Sequence, residues 1–364
     1  MLSLRTVVAL PSLAAAMLLP AQTTATLTSF GAGCYDRAAS FYETFPVGTF
    51  DLSGGVTPNT IRFYPNGNGG CVALPGSGQW FTPTSPNLGL SDDSVTGVLP
   101  LPLPHLTPAG WVNQIVISSN GFVWLAPNSD SGCCTAHVGT FLAQPERIAV
   151  LWQNLNPSIG GTIHYDTDAA GNAYATWVDV PEFHSLGSNT CQIAILAGLG
   201  VELRWLSCGN AAHAPLVGWT RGHGARDPGP TDLSATPAFV TSGDRIPLAL
   251  VSTARPRINS TFPLIAASFP AGAPLGAVIL SLTRHVPGID LTSIGMGGCF
   301  QHVGLDVVLS LVASGAAATV NLSLPNHTGL LGVHFYGQAV AFAAGQNTLG
   351  VISSNAIDFG IGNQ

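Results

Sequence analysis

Helical periodicity is almost absent from this chain. No stretch of about twelve residues keeps apolar side chains at the i, i+3, i+4, i+7 spacing that buries one face of a helix. Short runs of apolar, Thr and aromatic residues recur instead, each bounded by Gly, Pro, Asn or Asp. Such runs read as strands separated by turns. Examples lie at 114–118, 121–125, 147–152, 162–165, 173–178, 191–196 and 201–206, and again at 303–311, 318–324 and 332–342. With 43 Gly and 27 Pro to punctuate them, these segments predict an all-β chain of sandwich or barrel type.

The first 25 residues carry one Arg, an apolar run and then small residues, the pattern of a secretory signal peptide with cleavage near Ala21 to Ala25. The run is shorter than a membrane span and Pro11 interrupts it, so no anchor is expected after cleavage. The stretch 221–244 is dense in Pro and Gly and reads as a linker. The expected organisation is a signal peptide at 1–25 and two β-sandwich-like domains, at 26–243 and 244–364. The expected location is secreted or at the cell surface.

Only 8% of the chain is charged, and all eleven basic residues are Arg. A net charge of −7 without Lys argues against nucleic acid as a partner, because such binding rests on cations neutralising phosphates. Absence of Lys excludes P-loop and Schiff-base chemistry. Export permits disulfides, and the seven cysteines are an odd number. Cys133 and Cys134 are adjacent and cannot easily bond each other, so one of them is expected to pair at a distance. No Cys/His spacing suits a zinc site.

Thr162–Asp166 and Ala173–Trp177 flank the Gly- and Asn-bearing loop Thr167–Asn172 and form a hairpin. Asp166, Asp168 and Gly171 suit an ordinary turn, since Asp and Gly are turn formers. Asp166 and Asp168 also match the first two ligands of a D-x-D calcium loop, although Ala170 stands at the next ligand position. Calcium is the only cofactor the sequence suggests. In the following hairpin a four-residue loop would set Cys191 opposite Cys208, which predicts a disulfide. The alternation of Ile193 and Ile195 against Val201, Leu203 and Trp205 asks for a register one residue away, and a bulge at Gly198 or Gly200 would reconcile the two. The pentapeptide VISSN occurs at 116–120 and 351–355 and reads as two similar strand–turn–strand corners.

Six segments in order then carry a resemblance. They are Trp111 to Trp124 with its Ser119-Asn120-Gly121-Phe122 turn, Glu146 to Pro157, Gly160 to Tyr165, Thr176 to Pro181, Asn189 to Ala194, and Val217-Gly218-Trp219. Residues 110–222 thereby resemble the nidogen-type extracellular domain. Asn154 and Asn156 stand where that family often has Asp, and Cys191 where an aromatic is usual. The resemblance implies an extracellular, non-enzymatic role in matrix or adhesion, with Asn120, Gly121, Trp152, Tyr165, Trp177 and Trp219 as motif positions. The segments 287–301 and 349–362 look similar to C-terminal modules of bacterial exported proteins.

No G-x-S-x-G elbow or HExxH motif occurs. Asp179, Glu182 and His184, with His213, His223 and Asp227, are the only groups near enough in sequence to suggest a hydrolase site. Trp124, Trp152, Trp177, Trp205 and Trp219 fall on strands and are expected in the core. The reading is an exported structural or adhesive protein rather than an enzyme. A carbohydrate-binding module or lectin is the alternative and a secreted hydrolase a more distant one. The partner would be an extracellular protein or a glycan, and self-association is compatible with so lightly charged a sheet surface.

Overall fold

The computed structural model describes residues 22–364 except 185, 199, 271 and 273. Most of the expected leader therefore lies outside the described residues. The protein is all-β, and one short α-helix, Val138–Ala143, is found among the described residues. Among the described residues no helix is long and apolar enough to cross a membrane.

Two units make up the chain. One is the continuous segment Asp36–Ile246, and the other combines Pro247–Gln364 with residues up to Tyr35. This corrects the expected N-terminal boundary at residue 26. Strand Thr26–Phe30 pairs along its whole length with Val351–Gly360, and Cys34 is disulfide-bonded to Cys299. The first unit is thus inserted into the second. A five-residue edge strand reveals its partner only through tertiary pairing. The downstream break, after Ile246, lies three residues past the Pro- and Gly-rich boundary expected at 243.

The inserted unit is a sandwich of two antiparallel sheets. The seven-stranded sheet runs in the order Phe239–Val240, Cys71–Pro75, Asn59–Pro65, Gly200–Ser207, Leu186–Leu196, Ala173–Glu182, Thr162–Thr167. The six-stranded sheet runs Phe41–Thr44, Leu216–Thr220, Arg147–Trp152, Phe122–Trp124, Gly110–Ser118, Leu99–Thr107. Alternation sends Ile61, Phe63, Trp177, Ile193, Leu203 and Trp205 from one sheet against Ile117, Val150, Val217 and Trp219 from the other. The five expected tryptophans are all at most 1% exposed. Their indole N–H groups donate to the carbonyls of Asp130, Gly132, Ser118 and Val150 and, for Trp219, to the Glu146 carboxylate. A buried indole needs such a partner.

The last strand of the six-stranded sheet carries Pro100, Pro102 and Pro104. Prolines lack the N–H that a further strand would need, and so they blunt the edge. The outer face of this sheet is covered by the Val138–Ala143 helix, which packs Phe141 and Leu142 with Phe122, Trp124 and Trp152. Arg147 lies inside that cluster, its guanidinium 4.2 Å from the Trp152 ring centroid and 4.4 Å from that of Trp124. Its Nη2 donates to Thr140 O and Gln144 Oε1. Burial brings its pKa down to about 9.

In the second unit a five-stranded sheet (Thr26–Phe30, Val351–Gly360, His334–Phe342, Leu275–Ser281, Val307–Val312) and a three-stranded one (Ala249–Val251, Ser260–Ala267, Ala317–Leu324) share a core. That core is built from Phe262, Leu264, Val278, Phe335 and Phe359 with several alanines. The two copies of VISSN differ from the expected pair of corners. Asn120 ends a strand in a turn, whereas Val351–Asn355 lies inside a continuous strand whose pairing shifts between Gln338 and Val340. The Asn plays one role in both: Asn120 Oδ1 accepts from Leu155 N and Asn355 Oδ1 from Leu250 N, tying a neighbouring segment to the strand.

Candidate functional site: an aromatic groove

Asp166 is buried and accepts hydrogen bonds from the backbone N–H and hydroxyl groups of both Thr84 and Ser85. Asp168 accepts from Ala170 N, Asn172 N, Asn172 Nδ2 and the Tyr174 hydroxyl. The two carboxylates are spent on separate sets of donors, one anchoring a strap and one closing a turn. Among the described residues they join no cluster of three His, Cys, Asp or Glu side chains, and their oxygens face N–H and O–H donors, an arrangement that does not suit calcium.

Cys191 and Cys208 are thiols rather than a disulfide. The apolar alternation won the register: Ile193 faces Leu203, Cys191 faces Trp205, and a bulge follows at Thr190. Cys208 Sγ donates to Thr190 O at 3.3 Å, and burial, with the neighbouring Cys208 thiol adding to it, raises the Cys191 pKa. Cys133 and Cys134 bond each other, against expectation, in an exposed loop.

Of the suggested hydrolase residues only Glu182 and His213 meet, at 2.8 Å. Glu182 is fully buried and also accepts the backbone N–H groups of Ala211, Ala212 and His213. It therefore clamps a loop. The His184 ring lies tilted against that of Phe183, the backbone N–H of His223 donates to Gln144 O, and Asp227 accepts the Tyr42 hydroxyl.

The family-motif residues are structural. Asn120 is buried and ties three segments, through Asp93, Ser131 and Leu155. Gly121 has φ +79°, and a Cβ there would stand 2.1 Å from Leu151 O. Only glycine fits. Tyr165 donates to Pro100 O at 2.6 Å.

The geometry draws attention elsewhere in the inserted unit. Arg62, Tyr64 and Pro65 from one strand, Pro104, His105 and Leu106 from another, and Trp111 enclose a groove of about 540 Å³. Gly200 also lines it and lets Tyr64 approach: a Cβ there would be 2.3 Å from Phe63 O and 2.9 Å from Tyr64 Cβ. Trp111 is 71% exposed, in contrast to the five buried tryptophans. Its place follows from the hairpin. Thr107 pairs with Gly110 and Leu106 with Trp111, so the indole stands one residue past the turn, beyond the reach of the core. Thr107 Oγ1 fixes that turn by donating to Gly110 O and accepting from Ala109 N.

Arg62 supplies the groove's charge. Its Nε and Nη2 donate to Glu202 Oε2, while Arg204 Nε donates to Oε1. Ser77 adds two further donors to the same carboxylate. Burial of Glu202 works to raise its pKa, and the bonds from Ser77, Arg204 and Arg62 outweigh it and hold the carboxyl below its usual value. Two guanidiniums thus share one carboxylate, leaving one positive charge uncompensated in a chain of net −7. Arg204 is buried and turned to Gln192, so Arg62, a quarter exposed, is the member that reaches the groove. Burial depresses the pKa of His105, which is therefore neutral at pH 7.

Sequence reasoning passed over this groove. Trp111 sat at the head of a motif segment, and its one distinguishing signal was its place directly after Pro108-Ala109-Gly110. Arg62 and Tyr64 carried no signal at all. Comparison with known protein families, with curated proteins and with solved structures finds no match to this chain.

Proposed function

We propose that this is an exported, non-enzymatic binding protein of adhesive or matrix type, secreted or held at the cell surface. In this reading the Trp111 groove is its contact with an extracellular partner. One observation carries it: a single tryptophan is left open over an apolar groove that contains no nucleophile and no pair of carboxylates. Grooves with apolar walls and a few placed polar groups are the ordinary form of ligand sites. The leader-like N-terminus supports export, and the ordered motifs of residues 110–222 support a nidogen-type module.

The lectin alternative gains from the same residue. Five of the tryptophans that a sugar-binding stripe would use are buried, but Trp111 and Tyr64 remain as stacking surfaces.

The test is retention of the purified protein on the insoluble extracellular material of its own host. Trp111→Ala should abolish retention while leaving the melting temperature unchanged. Equal retention of both proteins would overturn the reading.

A further inference from the structure

We infer that the groove takes an acidic sugar of an extracellular polysaccharide, its ring stacked on Trp111 and its carboxylate paired with Arg62. The inference rests on the binding role proposed above and names the ligand class for that site.

Charge is the first argument. The Arg62–Glu202–Arg204 cluster carries one more positive than negative charge, and Arg62 is its groove-facing member. Glu202 already fixes Nε and Nη2 of that guanidinium, so the group is held in place before a ligand arrives. Nη1 has no partner among the described residues and is left to donate. A pre-positioned guanidinium is the usual partner for a carboxylate. No carboxylate lines the groove to repel an anion, and His105 adds a neutral imidazole.

Shape is the second argument. Trp111 and Tyr64 offer flat aromatic faces, and Pro65 and Pro104 add flat apolar walls. The apolar C–H face of a sugar ring packs on such surfaces while its hydroxyls stay wet. An acidic peptide fits less well. A peptide adding to a sheet needs backbone N–H groups along the edge, and prolines 100, 102 and 104 withhold theirs. The volume of about 540 Å³ suits one or two sugar rings and lies within the range of small-ligand sites.

The experiment titrates the full chain with tetragalacturonate, with its fully methyl-esterified form and with tetraglutamate, following tryptophan fluorescence and heat. The acid should bind, and the ester, identical in ring shape but uncharged, should bind at least about tenfold more weakly. Raising the salt should weaken the acid and leave the ester unchanged. Trp111→Ala should lose both sugars. Arg62→Lys, which keeps the charge and loses the fork, should bind the acid about tenfold more weakly than wild type and the ester equally. Circular dichroism and melting of each variant separate lost binding from lost fold.

Equal binding of acid and ester would overturn the charge assignment. Binding of tetraglutamate as tight as that of the sugar acid would overturn the sugar assignment. Binding of no sugar at all would overturn the inference, yet the binding role would still stand if Trp111→Ala abolished retention on host material.

Discussion

Asp36–Ile246 and the unit it interrupts are both all-β, yet they solve the problem of buried polarity in opposite ways. The inserted unit buries Arg147, Glu182, Glu202 and Arg204 almost completely. Among the described residues of the surrounding unit the buried polar side chains are Ser281, His302, Gln338, Ser353 and Ser354, with no Asp, Glu or Arg among them. The inserted unit has cover on both sheets. A strap running past Ser77, Phe81, Thr84 and Ser85 lies over the outward row Glu202, Gln192, Thr176 and Asp166 and bonds to it. The helix and its loop do the same for Arg147. The surrounding unit relies on alanine-rich packing and on the Cys34–Cys299 disulfide, which ties its short N-terminal strand to the rest. Several of the few charges in this chain are therefore structural, buried and bonded within the inserted unit.

That contrast can be broken first at Glu202. Glu202→Gln leaves two guanidiniums without their shared carboxylate, and removing one partner from a buried ion pair costs about 3–5 kcal/mol. Thermal unfolding should show that loss in the inserted unit only. Cys34→Ser with Cys299→Ser should do the converse, lowering the surrounding unit by about 2–4 kcal/mol, as expected for removing a disulfide. A common shift of both transitions in either experiment would end the contrast between the units.

Acidity gives a finer test. Burial pushes the Glu146 carboxyl from 4.5 up to about 7, against opposing bonds from Thr107 and Trp219 and the charge of Arg221. The folded protein then binds a proton that the unfolded chain releases. Glu146 therefore favours folding below pH 4.5, and that contribution is lost as pH rises to about 7. Glu43, also raised to about 7 by burial, acts in the same direction, and His105, lowered by burial, acts in the opposite one. Glu146→Gln should therefore gain on wild type in melting temperature between pH 5 and about pH 7 and level off above it. A constant difference across that range would show that Glu146 titrates normally.

The smallest expected effects are on the surface. Saturating calcium should leave the melting temperature unchanged, since Asp166 and Asp168 already have their donors. Trp111→Ala should change stability by no more than about 0.5 kcal/mol, as for an exposed side chain without partners. A larger loss would place Trp111 among the structural tryptophans and remove the groove from consideration.

Local pattern alone determined the fold class, the turn-bounded strands and the burial of Trp124, Trp152, Trp177, Trp205 and Trp219. Alternation and turn chemistry act over a few residues, so they are written directly in the sequence. It also carried both registers of the 191–208 hairpin, and burial of Ile193 and Leu203 chose between them. Long-range pairing was not written there: the return of Thr26–Phe30 to Val351–Gly360, the Cys34–Cys299 bond, and the meeting of Arg62 with Trp111. Nothing local distinguishes an edge strand that pairs with the far end of the chain, or an arginine that shares its carboxylate with a second arginine. Those partners are selected when the sheets close over their cores, because the free energy of burial depends on where segments distant in sequence come to lie.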